Sequence, residues 1–279
     1  MGKSKSVRLP SFVLPPLLLL LAAAGAGAQA PRDEAWQLLR QGVKEKSAVP
    51  RAAAVGVLGL LPGNARAAAM AEKALSDAKP RVRAAAATAL GSMRATRSAP
   101  KLHDAMNDPE PAVALAAAHA LLQLKDDAGY DVYYAVLTGQ RKGKKGLIAG
   151  QMETLHDKKK MAQLGIEEGI GFIPFAGIGW SVLKMMRKDD TSPLRAAAAR
   201  QLAKDPDPAS GDALLAATSD KSWVVRAAAL EAIALRGDPS LLPPVAELMK
   251  DEKDIVRLVA AACVIRLSNL SAAQPPPKQ

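Results

Sequence analysis

Apolar and polar positions along this chain follow the period of an α-helix, and one helical pattern returns about every 31 residues. Six segments carry it: Val49–Leu61, Pro80–Leu90, Glu110–Leu124, Ser192–Leu202, Ser222–Leu235 and Asp254–Leu267. An arginine column falls at Arg51, Arg83, Arg195, Arg226 and Arg257, with Ala114 in its place in the third segment. A fixed period in this range is the signature of stacked supersecondary units. Ahead of most segments runs a second amphipathic stretch, at Ala65–Leu75, Ala99–Met106, Ala213–Thr218 and Leu241–Met249. The unit is therefore a helix, a tight turn and an alanine-rich helix. The spacing predicts six hairpins, at residues 31–61, 64–94, 97–125, 128–204 (interrupted), 208–236 and 238–270.

Within each second helix, Val82, Val113, Leu194, Val225 and Val256 stand eight residues before Leu90, Leu121, Leu202, Ile233 and Val264. These two columns share one helical face, predicted to be core, and the alanines between them let neighbouring helices approach closely. Six residues before the arginine column stands an acid: Asp77, Asp108, Asp189, Asp220 and Asp251, with Glu45 in the first unit. Its place in the turn predicts a cap for the following helix and an ion pair with an arginine of the same or an adjacent unit.

The turn aspartate, the Val-Arg pair and the run of alanines resemble the HEAT-like repeats, in particular the short variety of phycobilin lyase subunits. The resemblance covers nearly all of residues 31–270 outside one insertion. It implies an all-α, right-handed α-solenoid. It also implies a protein that works by binding and not by catalysis, since such arrays mostly serve as binding surfaces. The lyase-like alternative is an enzyme, or its subunit, acting on a small molecule.

The array is interrupted between Gly139 and Asp190, by 50 residues beyond one repeat. The interruption opens on a basic stretch with Arg141, Lys144 and Lys145, and later carries Phe172, Phe175 and Trp180 in a glycine-rich apolar run. The helix entering it holds Tyr130, Tyr133 and Tyr134. Alanine-rich repeats offer little distinctive chemistry, so these nine residues are the candidate partner-binding set. Long insertions in regular scaffolds usually carry function. Three readings stand for residues 165–186: packing back on the solenoid, forming part of a partner groove, or touching a membrane surface. The first predicts Phe172, Phe175 and Trp180 against the tyrosine helix.

The first thirty residues change the picture of where the protein works. Lys3, Lys5 and Arg8 precede an apolar run from Phe12 to Ala24, and Ala28-Gln29-Ala30 offers a small-x-small cleavage site. That is the pattern of a secretory signal peptide, so the chain is expected to be exported, periplasmic or secreted, and to begin at Pro31. The net charge of +11 favours an acidic protein or peptide partner, and export argues against nucleic acid. Residues 271–279, with Pro275–Pro277, read as a disordered tail.

No motif in the chain calls for a cofactor or a metal. Ser181-Val182-Leu183-Lys184 matches a Ser-x-x-Lys pattern without its companion elements. Glu153 and His156 would make only half of a metal site. Cys263, the single cysteine, falls in a small-residue column with Ala89, Ala120 and Ala232 and reads as a core thiol.

Overall fold

A computed structural model describes residues 17–138 and 191–273, with side chains described from residue 30. Among them are twelve α-helices and no strand. Five of the six predicted hairpins pair as expected; in the fourth, the first helix packs on the third repeat and the second on the fifth, so the two do not pair with each other among the described residues. The first helices are α1 (Leu17–Gly42), α3 (Ala65–Ala74), α5 (Ala99–Ala105), α7 (Gly129–Thr138), α9 (Pro208–Ala217) and α11 (Leu242–Glu247). The second helices are α2 (Ala48–Val57), α4 (Pro80–Ser92), α6 (Pro111–Gln123), α8 (Ser192–Leu202), α10 (Trp223–Arg236) and α12 (Asp254–Ala273). Helix α1 runs across the expected cleavage site, and α12 continues past Leu270.

Local chemistry sets the helix ends. Prolines occupy the first turn of α4, α6, α8 and α9, where their missing N–H costs nothing. Asn64, Asp207 and Asp238 accept backbone N–H groups as side-chain caps of first helices or their leading turns. Helix α10 stops at Gly237, whose φ of 75° is the left-handed cap conformation. Arg94 and Lys125 take the same conformation after α4 and α6, with φ of 52° and 64°. There the N–H groups of Ala95 and Asp126 reach back to the carbonyls of Leu90 and Leu121, at 3.0 and 2.9 Å.

The core forms where the second helices lie side by side, α4 between α2 and α6, and α10 between α8 and α12. Val82, Val113, Val225, Val256, Leu90, Leu121, Ile233 and Val264 are all buried, as predicted. The fourth repeat departs from this: Leu194 is 73% exposed and Leu202 only half-buried. The reason is positional. Helix α8 packs on α9 and α10, and no other described second helix covers its far side.

The six hairpins do not form a stack with free chain ends. Helix α12 packs against α1 and α2 as well as α10 and α11, so the last repeat meets the first. A Cβ built on Gly42 would lie 2.9 Å from Leu258 Cδ2 and 2.8 Å from Ala54 Cβ, so this junction closes only over a glycine. Nearby, Arg266 donates from Nη1 to the Leu60 carbonyl at 2.9 Å. Every residue from Leu258 to Ile265 is buried in consequence. Helix α12 is long and apolar enough to cross a membrane, but its burial makes it the central core helix of this fold.

The arginine and aspartate columns form ladders. Arg51 grips both carboxylate oxygens of Asp77 at 2.8 and 2.9 Å, and Arg83 grips those of Asp108 at 2.6 and 2.7 Å. Arg195 does the same to Asp220, and Arg226 to Asp251. Each arginine thus binds the turn of the next repeat. Arg83, Arg226 and Arg257 also donate to the carbonyls of Asp77, Asp220 and Asp251, tying them to the turns before their own helices. The aspartates are not helix caps, contrary to the expectation. Their Oδ1 atoms accept the N–H two residues on, from Lys79, Glu110, Ser222 and Lys253, closing a turn before the helix starts. Ala114 leaves its rung unmade, and Asp189 lies outside the described residues.

Candidate functional site

Helix α7 is the first helix of the interrupted repeat and packs on α6 through Val132, which is buried. Asp126 closes the turn that leads into it, accepting the Ala128 N–H at 3.1 Å and meeting His103 Nε2 at 2.8 Å. Both contacts hold the Asp126 carboxyl below the usual carboxylate range, the backbone N–H contributing most. One face of α7 is thereby fixed to the array, and the other carries the candidate residues.

On that other face Tyr130, Tyr133 and Tyr134 are each more than a third exposed, and Leu137 is 86% exposed. Partial burial pushes the Tyr133 phenol up from its ordinary value. The structure therefore brings the three tyrosines together as one aromatic surface. With Leu194 on α8 they make up five of the eight exposed large apolar side chains among the described residues, all beside the chain positions where the interruption begins and ends. An aromatic surface of this kind, with hydroxyl groups at its edge, suits protein recognition.

Arg141, Lys144, Lys145, Phe172, Phe175 and Trp180 lie outside the described residues, as do Glu153, His156, and Ser181 to Lys184. The predicted packing of Phe172, Phe175 and Trp180 on the tyrosine helix therefore also lies outside them.

Two polar groups in the core bear on chemistry. Cys263 is fully buried, and burial pushes its thiol far up from its ordinary value, which keeps it protonated and unreactive. Glu231 on α10 is nearly buried, and burial raises its carboxyl despite Arg200, whose Nε donates to it at 3.1 Å. Arg200 is its one charged partner among the described residues. No group of three or more metal-ligating side chains occurs among the described residues.

A surface that sequence reasoning missed lies between α1 and α3. Arg40, Lys44, Arg66 and Lys73 line a cleft of about 570 Å³. The signal was present as two i, i+4 or i, i+7 spacings on separate helices. Only the packing of the first two hairpins shows that the four cations share one opening.

The family described as HEAT repeats matches this chain over residues 36–122, 69–138 and 181–265. No curated protein sequence matches it. A solved structure of human deoxyhypusine hydroxylase in complex with glycerol aligns at 17% identity, covering 89% of this chain and 91% of that one, with a TM-score of 0.28. The expectation that the chain is not an enzyme does not stand, since deoxyhypusine hydroxylase is itself an enzyme on a helical-repeat fold and such a fold does not exclude catalysis. A likeness this distant carries no activity over to the present chain.

Proposed function

Because the chain belongs to the HEAT repeat family, whose members commonly mediate protein–protein interaction, we propose that it is a protein- or peptide-binding scaffold of the cell envelope or the secreted space. The observation that carries this reading is the exposed aromatic face of α7, Tyr130, Tyr133 and Tyr134, on a scaffold otherwise built from alanine and leucine. Arg141, Lys144, Lys145, Phe172, Phe175 and Trp180 enter the proposed surface from the sequence alone.

Export is supported by the cationic and apolar pattern before Ala30. Cleavage there would leave Pro31, now inside α1, as the first residue of the shortened helix, a position proline tolerates. Ala35, Trp36 and Leu39, which pack into the core, would be retained. The excess of basic residues supports an acidic partner, and an exported protein has little access to nucleic acid.

The test is quantitative capture from an envelope extract. Native protein should retain a discrete partner, and a variant with Tyr130→Ser, Tyr133→Ser and Tyr134→Ser should lose it while its thermal melt holds. Equal capture by the two would move binding off α7. Fractionation with N-terminal sequencing should find the protein outside the cytoplasm and beginning at Pro31; a full-length cytoplasmic protein would overturn the location.

A further inference from the structure

We propose that the cleft between α1 and α3 is a second binding site, for an acidic peptide segment that carries an apolar side chain among its carboxylates. This goes beyond the α7 surface and stands on different residues.

The walls of the cleft come from two helices. Arg40 and Lys44 stand one turn apart at the end of α1 and just beyond it, and Arg66 and Lys73 stand two turns apart on α3, about 10 Å along its axis. Between them Val43, Met70 and Val82 form an apolar floor, with Val82 fully buried. None of the four cations has a carboxylate partner among the described residues. The acids nearby are already committed. Asp77, the one carboxylate lining the cleft, is held in both oxygens by Arg51, and Glu72 is turned to Lys101 and Ser98. The Arg66 guanidinium carbon stands 4.3 Å from the centre of the Trp36 ring, a cation–π contact. Such a contact does not consume the N–H groups, which are left for an anion.

The placement of charge selects the ligand. A single-headed amphiphile needs its cations gathered at one mouth. Here they are spread along both walls, which matches carboxylates spaced along an extended polyanion. A membrane surface is disfavoured by the same geometry, since it needs protruding apolar side chains, and the apolar residues of this cleft are recessed beneath the cations. An acidic peptide can lower one aliphatic or aromatic residue onto Met70 and Val82 while its carboxylates meet the walls.

The experiment is fluorescence anisotropy of full-length protein with a labelled peptide of alternating glutamate pairs and leucines. Binding should be saturable and should weaken by about tenfold or more when Arg66→Glu and Lys73→Glu are combined. Because Arg66 also packs on Trp36, a second variant combines Arg40→Glu with Lys44→Glu at exposed positions and should show the same loss. Met70→Asp should weaken binding and Met70→Leu should keep it. Lys250→Glu, outside the cleft, should change affinity by less than about twofold. Retained affinity in both double reversals overturns the proposal. So does loss equal to theirs in Lys250→Glu, or preferential binding of phosphatidylglycerol vesicles over the peptide with the same variant dependence. The three-tyrosine variant of α7 should bind this peptide normally, so failure at one surface is separable from failure at the other.

Discussion

Removing the carboxylate of Asp251 tests the reasoning about the ladders most directly. Arg226 and Asp251 have side chains only 10% and 9% exposed, and they share two hydrogen bonds of 2.8 Å. Asp251→Ala leaves the guanidinium nearly buried, holding the Asp220 carbonyl at 3.0 Å and Glu252 at 3.5 Å. It also opens the turn that Asp251 closes on the Lys253 N–H. Charge-assisted hydrogen bonds contribute about 1.5–3 kcal/mol, and stranding one partner of a buried pair costs about 3–5 kcal/mol. Some water reaches this pair, so the lower part of that range applies and the expected loss is about 3 kcal/mol. Asp251→Asn keeps the turn and one acceptor, and should lose about 2 kcal/mol. The Arg226→Ala, Asp251→Ala double variant should fall short of the summed single losses by more than about 1 kcal/mol. The assay is chemical denaturation followed by far-UV circular dichroism. The pair Lys250–Glu247, exposed on both sides, is the control, and Glu247→Ala should cost less than about 0.5 kcal/mol. Burial pushes the Asp251 carboxyl up, but Arg226 and the Lys253 N–H more than offset this and hold it below the usual range. A depressed folded value gives stability that is present above the unfolded value, about 4, and lost as pH falls through the folded one. The gap between native and Asp251→Asn should therefore close below about pH 4. A cost of Asp251→Ala no greater than that of Glu247→Ala would refute the ladder as a source of stability.

Other outcomes follow from single positions. Gly42→Val should lower stability by about 1–3 kcal/mol through overpacking against Ala54 and Leu258, whereas Gly56→Ala, with open space around it, should gain about 0.5–1 kcal/mol; thermal melts decide both. Lys125→Gly should leave stability unchanged or raise it by up to about 1 kcal/mol, because a left-handed φ of 64° strains any side chain. Glu231 has a raised folded value, so the native state binds more protons than the unfolded one and stability falls as pH rises through that window. Glu231→Gln should accordingly gain on the native protein as pH rises above the ordinary glutamate value of about 4, read by denaturation at each pH. Cys263 should react with a thiol reagent only as fast as the protein unfolds.

How much of this was legible in the sequence follows from the range of each interaction. Five of the hairpins and the valine and leucine columns of the second, third, fifth and sixth repeats are periodic, so spacing alone disclosed them. The ladders were half legible: the columns were visible, but only the stacking offset shows that Arg51 reaches Asp77 of the next repeat while its own turn supplies the Glu45 carbonyl. The exposure of Leu194 was not legible, because its helix matches the pattern and only its place at a border of the described stack leaves it uncovered. The contact of α12 with the first repeat joins residues as far as 206 apart in the chain, which no single segment encodes. The basic cleft is illegible for a similar reason, its four cations lying in two segments 20 or more residues apart, whereas the run at Arg141–Lys145 is contiguous.

The contact between the last helix and the first reorders the stack relative to the chain. In space the second helices run α8, α10, α12, then α2, α4 and α6, so the first and last described helices, α1 and α12, sit in the interior of the succession. A tandem array gains units where an outer face is free, and here neither α1 nor α12 offers one among the described residues. A hairpin placed between α1 and α12 would have to part Gly42 from Leu258. Between α7 and α8 no such cost arises, and that is where this chain carries its extra length. Joining the present termini and opening the chain between residues 139 and 190 would yield a linear array whose sequence order and spatial order agree. That permuted protein should fold to the same helices.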